Sequence, residues 1–147
     1  MAEKIGVRDY VKAAENKLEA ARKEYEIAIY PSAVLDACFA VDNAVNAYLI
    51  AIGARPAKRH RWTLAITNAT KQMNPKLLKG KSFRETLRLI KEIEAGAHIV
   101  RSRYPFTLRG EKFVPDEYYT VEITSEVLRK TERIFSELLK IIDELRK

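Results

Sequence analysis

The stretch AVLDACFAVDNAVNAYLIAIG, Ala33 to Gly53, decides the fold. From Ala33 to Ile52 its polar residues are Asp36, Asp42, Asn43 and Asn46, and at 100° per residue these four fall within a wedge of about 120°. A helix that is apolar over the remaining two-thirds of its surface must be covered by several neighbours. This segment is therefore the expected central helix of a bundle. Gly53 is placed to close it, with Pro56 just beyond. The strip Asp42, Asn43 and Asn46 reads as an exposed or hydrogen-bonded stripe. The longest unbroken apolar run, Ala47 to Ile52, is far short of the roughly 20 residues that a membrane span needs.

The flanking segments supply the neighbours. Upstream, Val7, Val11, Ala14, Leu18, Ala21, Tyr25 and Ala28 recur in steps of four and three, an amphipathic helix with one apolar seam. Pro31 is expected to end it, and Ser32 to cap the central helix. Downstream, a third helix runs from about Arg61 to Met73, with Trp62, Ile66, Ala69 and Met73 on one side, so Trp62 reads as core. Asn74-Pro75 stops this helix. Ser82-Phe-Arg-Glu85 has the pattern of a capping box and opens a fourth helix through Phe83, Leu87, Ile90, Ala97 and Val100, ended by Pro105. A loop with Gly110 and Pro115 leads to the last helix, whose seam is Val121, Thr124, Leu128, Thr131, Phe135, Leu138, Ile142 and Leu145. The expected fold is all-α, one domain over residues 1–147, an up-and-down antiparallel bundle of about five helices.

Composition narrows the chemistry. A chain of 147 residues with 47% apolar and 32% charged content is globular, and its size can bury a core without disulfides or metal. Cys38 is the only cysteine and Met1-Ala-Glu-Lys lacks the order of a signal peptide, so a reducing, cytoplasmic setting is expected. The glycines at 6, 53, 80, 96 and 110 are too scattered to cradle a phosphate. One cysteine with His60 and His98 does not make a closed zinc site, and no cofactor is expected. Glu94 and His98, at i and i+4, read as an ordinary pair on one helix.

The charge is concentrated. The chain carries 27 Lys and Arg against 20 Asp and Glu. Residues 55–91 alone hold eleven bases and one acid, Glu85, while both flanks are close to neutral. A solvated face normally mixes both signs; a run this one-sided favours an anionic partner. A lysine-rich solvated surface is the bland alternative.

Two places carry a resemblance. Gly53-Ala-Arg-Pro-Ala-Lys-Arg-His60-Arg-Trp-Thr-Leu follows the central helix, and Ala97-His-Ile-Val-Arg101-Ser-Arg103-Tyr104-Pro105 ends the fourth, before Tyr118-Tyr-Thr120-Val-Glu opens the last. In order and spacing, over roughly residues 7 to 145, this resembles the HEPN domains of prokaryotes. The resemblance implies a small helical bundle, usually dimeric, that binds or acts on RNA or nucleotides. It also implies a toxin–antitoxin or defence-type setting, often beside a small nucleotidyltransferase partner. Catalytic members carry an arginine followed four to six residues later by histidine near the fourth helix. Here neither Arg101 nor Arg103 has a histidine at that distance. Arg55 and His60 match the spacing formally but lie in the loop after the central helix, with a proline following the arginine.

The expectation is therefore binding of RNA or nucleotide phosphates without catalysis, through Arg55, Lys58, Arg59, His60, Arg61, Arg101, Arg103 and Tyr104. Guanidinium groups fork onto phosphate, and Tyr104 offers a face on which a base can stack. His98, Arg101 and Arg103 are the weak catalytic candidates for a degenerate ribonuclease. His98 alternatively gains only from the dipole of a helix C-terminus. A third reading is an interaction module for a nucleotidyltransferase subunit. Surplus apolar surface on the first and last helices would serve a homodimer.

Overall fold

The computed structural model describes residues 4–147, and the Met1-Ala2-Glu3 start weighed above lies outside the described residues. The long helices are α1 (Val7–Glu26), α2 (Tyr30–Ala51), α3 (Trp62–Met73), α4 (Lys81–Ala95) and α7 (Val121–Leu145). A 3-10 turn, Pro75–Lys79, joins α3 to α4. The short α5 (His98–Arg101), strands β1 (Phe106–Leu108) and β2 (Glu111–Phe113), and α6 (Pro115–Tyr118) lie between α4 and α7.

The apolar two-thirds of α2 do what the sequence demands. Ala33, Val34, Ala37, Val41, Val45, Ala47 and Tyr48 are fully or almost fully buried, against α1 on one side and α7 on another. Among the described residues α2 is the one helix long and apolar enough to cross a membrane, and most of it is buried as the core of the bundle. Small side chains on α2 let α1 approach closely, with Ala14, Leu18 and Ala21 filling the seam. The buried Tyr48 hydroxyl and Thr70 Oγ1 share a hydrogen bond of 2.7 Å, fixing α3 onto α2. Such a bond satisfies two polar groups whose desolvation would otherwise cost about 1–3 kcal/mol each. The third helix starts at Trp62, which is only 2% exposed, and stops at Asn74-Pro75 as the sequence indicates.

The helix ends differ from the sequence reading in several places. α1 ends at Glu26, before a turn in which Ala28 has φ of 61°. Pro31 instead sits in the first turn of α2, where its missing N–H has no helical partner to lose. Ser32 does not cap; its hydroxyl donates to the Glu24 carboxylate. The Ser82-Glu85 box is not formed either, since α4 begins at Lys81 behind Gly80. Ser82 Oγ donates to Glu137 Oε2 at 2.7 Å, and Glu85 pairs with Arg88 at 2.5 Å. Ser82 thus found a partner on a distant helix, and Glu85 one three residues on along its own helix, in place of each other.

The fourth helix also stops short of Pro105. It breaks at Gly96-Ala97, where Ala97 takes φ of 51°, and α5 restarts at a new angle. The loop after Pro105 is a β-hairpin, with Phe106 opposite Phe113 and Leu108 opposite Glu111. Its two-residue turn, Arg109-Gly110, has φ of 51° and 81°, the left-handed pair that a tight hairpin requires. Thr120 caps α7, its hydroxyl accepting from Ile123 N at 3.3 Å.

Candidate functional site

Three departures from ordinary backbone geometry meet at one place. Arg59 and His60 have φ of 55° and 58°, and Ala97 has 51°. Left-handed conformations are uncommon for residues with a side chain and persist only where their surroundings hold them. All three residues line one cleft of about 200 Å³. Cys38, Trp62 and Ile93 form its floor, and Glu94, His98, Ile99 and Val100 its far wall. The loop after α2 thus faces the break between α4 and α5.

The near wall is held by the polar strip of α2. Asp42 Oδ1 accepts from Trp62 Nε1 at 2.7 Å and lies 3.0 Å from His60 Nδ1. The carboxylate can only accept, so the imidazole donates from Nδ1, which leaves Nε2 of the neutral ring as an acceptor. Asn46 Oδ1 accepts from Ala57 N at 2.8 Å, tying the loop to α2 one turn further on. Trp62 is core, as its spacing indicates, but its indole N–H serves the site.

The far wall rests on the hairpin. His98 Nδ1 is 2.8 Å from the Tyr119 hydroxyl, and Tyr119 is 1% exposed. Burial, then the nearby charges of Arg101 and Lys130, push His98 down from 6.5 to about 4. The ring is neutral at pH 7, so it is not the cation that a helix dipole would favour. Burial also raises the Tyr119 phenol, which stays protonated. The guanidinium of Arg101 lies 5.2 Å from the Phe106 ring centre, and Tyr118 packs edge-on against Phe106 at 4.9 Å and against Tyr119 at 5.0 Å. This chain of aromatic contacts carries the position of the hairpin to His98. The His98 ring lies over Gly96, where an added Cβ would come within 2.7 Å of Cε1.

Glu94 and His98 do not form the helical pair expected of them. Glu94 Oε1 accepts from Thr63 N at 3.1 Å and closes the start of α3. Helix starts favour such a carboxylate because their first N–H groups have no helical partner.

The sequence-derived site residues, binding and catalytic candidates together, divide into three groups. Arg59 and His60 line the cleft, and His98 faces them. Arg55, Lys58 and Arg61 are exposed on the same loop without lining it. Arg101 sits close enough to act on His98, whereas Arg103 and Tyr104 are exposed beyond the cleft. Arg103 Nε donates to Ile99 O at 2.8 Å, and its guanidinium stacks on Tyr104 at 5.4 Å. Within the basic stretch, Arg88 is already engaged by Glu85 and Glu92. Residues 71–91 add six exposed cations, Lys71, Lys76, Lys79, Lys81, Arg84 and Lys91, none of which lines the cleft.

Sequence reasoning missed Asp42, Glu94 and Tyr119 as parts of this site. Asp42 carried a signal, as a carboxylate in the middle of a nearly apolar helix. The other two act through contacts that no local pattern displays. Cys38 at the floor is 1% exposed, and burial raises its thiol to about 12, so it is an inert part of the core. Among the described residues no group of three or more His, Cys, Asp or Glu is placed to hold a metal ion.

The protein is a helical bundle with an imidazole-lined cleft at the junction of two loops, and exposed cations stand on the loop beside it. Residues 7–142 match the HEPN domain family, and the chain belongs to that family. A Methanocaldococcus jannaschii protein named Putative toxin MJ1304 is 30% identical over 136 residues, which span 92% of this chain and 87% of that protein. The crystal structure of ST0689, an archaeal HEPN homologue, superposes with a TM-score of 0.68 at 22% identity. That match covers 95% of this chain and 99% of the other and supports the same helical fold.

Proposed function

We propose that this HEPN protein binds RNA or nucleotide phosphates at the cleft between the Arg59-His60 loop and the His98–Arg101 turn, and that it works in a toxin–antitoxin type of system. The observation that carries the reading is the convergence of Arg59, His60 and His98 on one cleft, with further cations exposed around it. Guanidinium N–H groups, and an imidazole N–H not already given to a carboxylate, are donors suited to phosphate oxygens, and the neighbouring Lys58 adds attraction without direction. The similarity to a protein named as a toxin supports the setting. Binding to single-stranded RNA, measured by fluorescence polarisation, should fall steeply as salt rises. Flat affinity across salt, or no binding at low salt, contradicts the reading.

One observation favours a second reading, metal-independent ribonuclease activity. Two imidazoles line the cleft and each has its Nδ1 in a hydrogen bond, His60 with Asp42 and His98 with Tyr119. Rings fixed in this way are suited to moving protons. This reading expects slow cleavage of single-stranded RNA in chelator, lost in His60→Ala and in Arg101→Ala. RNA left intact after long incubation at high protein concentration disposes of it.

A further inference from the structure

The cleft is small. At about 200 Å³ it is below the roughly 300–1,000 Å³ typical of pockets for drug-sized ligands, and it suits one flat ring system. Its floor of Cys38, Trp62 and Ile93 is apolar, while His60 and the exposed Val100 stand at its sides. A flat ligand with apolar faces and a hydrogen-bonding edge matches that lining, and a nucleobase has this form. The edge would meet Glu94. Glu94 Oε1 already accepts from Thr63 N at 3.1 Å, and each carboxylate oxygen has a further lone pair to offer. His98 beside it is neutral at pH 7 and so does not neutralise the carboxylate.

A carboxylate only accepts, which makes it selective among bases. Guanine alone presents two adjacent donors, N1–H and the N2 amino group, at the spacing of two carboxylate oxygens. Adenine and cytosine place a ring acceptor next to their amino group, and uracil sets its single N–H between two carbonyl oxygens. Each of those acceptors would be repelled.

We propose that the cleft is a pocket for a single guanine base, its donor edge on Glu94 and its phosphate on Arg59. The proposal rests on the phosphate-binding reading above and adds a base preference to it.

The test is a titration of the full chain with 5′-GMP, IMP and AMP at low salt, followed by calorimetry and by the fluorescence of Trp62, the single tryptophan. GMP should bind about tenfold or more tighter than AMP, the discrimination expected of one bidentate contact. IMP, which lacks the N2 amino group, should fall between them. Glu94→Gln keeps an oxygen for Thr63 N, so α3 stays closed, and it should remove the preference while nucleotides still bind. Arg59→Ala should weaken all three ligands alike. Equal binding of GMP and AMP, or a preference that survives Glu94→Gln, overturns the guanine pocket and leaves phosphate binding standing. RNA binding without nucleotide binding also overturns the pocket alone. Failure of nucleotides and RNA together at low salt overturns both.

Discussion

Asp42→Ala tests how the near wall of the cleft is built. Asp42 holds two groups from outside its helix, the buried indole N–H of Trp62 at 2.7 Å and the His60 ring at 3.0 Å. Removing the carboxylate leaves Trp62 Nε1, on a residue only 2% exposed, without its acceptor. An unsatisfied buried donor costs about 1–3 kcal/mol. The His60 contact adds less, since that side chain is 42% exposed and the pair is screened by water. The expected loss is about 2–3 kcal/mol. For a chain of this length, about 3 °C in Tm per kcal/mol gives a fall of roughly 6–9 °C. Urea denaturation followed by Trp62 fluorescence measures it directly, because the reporter is the group that loses its partner. Asp42→Asn keeps an acceptor for the indole and should lose less than half as much. An Asp42→Ala protein within about 0.5 kcal/mol of the parent, the range of ordinary surface changes, would refute the reasoning. It would mean that Asp42 does not hold the loop.

Three further outcomes are expected. Gly96→Ala places a methyl group against the His98 ring, so it should destabilise by about 1–3 kcal/mol as an overpacked core does and shift the His98 ring resonances; unchanged resonances would count against the close approach. His98 has its folded value lowered from 6.5 to about 4, so the unfolded chain binds the proton more readily in that interval. Its stabilising contribution is complete above pH 6.5 and is lost as pH falls towards 4, about 3 kcal/mol in all; His98→Gln should flatten the pH dependence, and an NMR titration of His98 with a midpoint near 6.5 would contradict it. The Cys38 thiol, buried and raised to about 12, should react with a thiol reagent only as fast as the chain unfolds, which a comparison of labelling with unfolding rate decides.

The helices were legible because each buries a stripe whose period is local. The run Ala33 to Ile52, the seams of α1 and α7, and the Asn74-Pro75 stop needed no knowledge of distant residues. The helix ends were less legible because side chains found better partners elsewhere, Ser32 on Glu24 and Ser82 on Glu137. The hairpin had only three residues in each strand, too few for alternation to stand out. Its turn nevertheless contains the Gly110 that such turns favour. At the site, both histidines and the basic loop could be found by residue type. Their meeting could not, because it depends on contacts 18 to 31 residues apart, Asp42 with His60 and with Trp62, His98 with Tyr119, and Glu94 with Thr63. The left-handed turn at Ala97 that aims His98 at the cleft has no signature in an alanine.

The most direct measurement is the salt dependence of single-stranded RNA binding, compared between the parent protein and Arg59→Ala. Each phosphate contact contributes about 0.7 to the slope of log affinity against log salt for a single strand. The expected result is a steep parent slope that falls by about 0.7 in Arg59→Ala, with stability unchanged. A flat parent slope, or the same slope in both proteins, would contradict phosphate binding at this cleft.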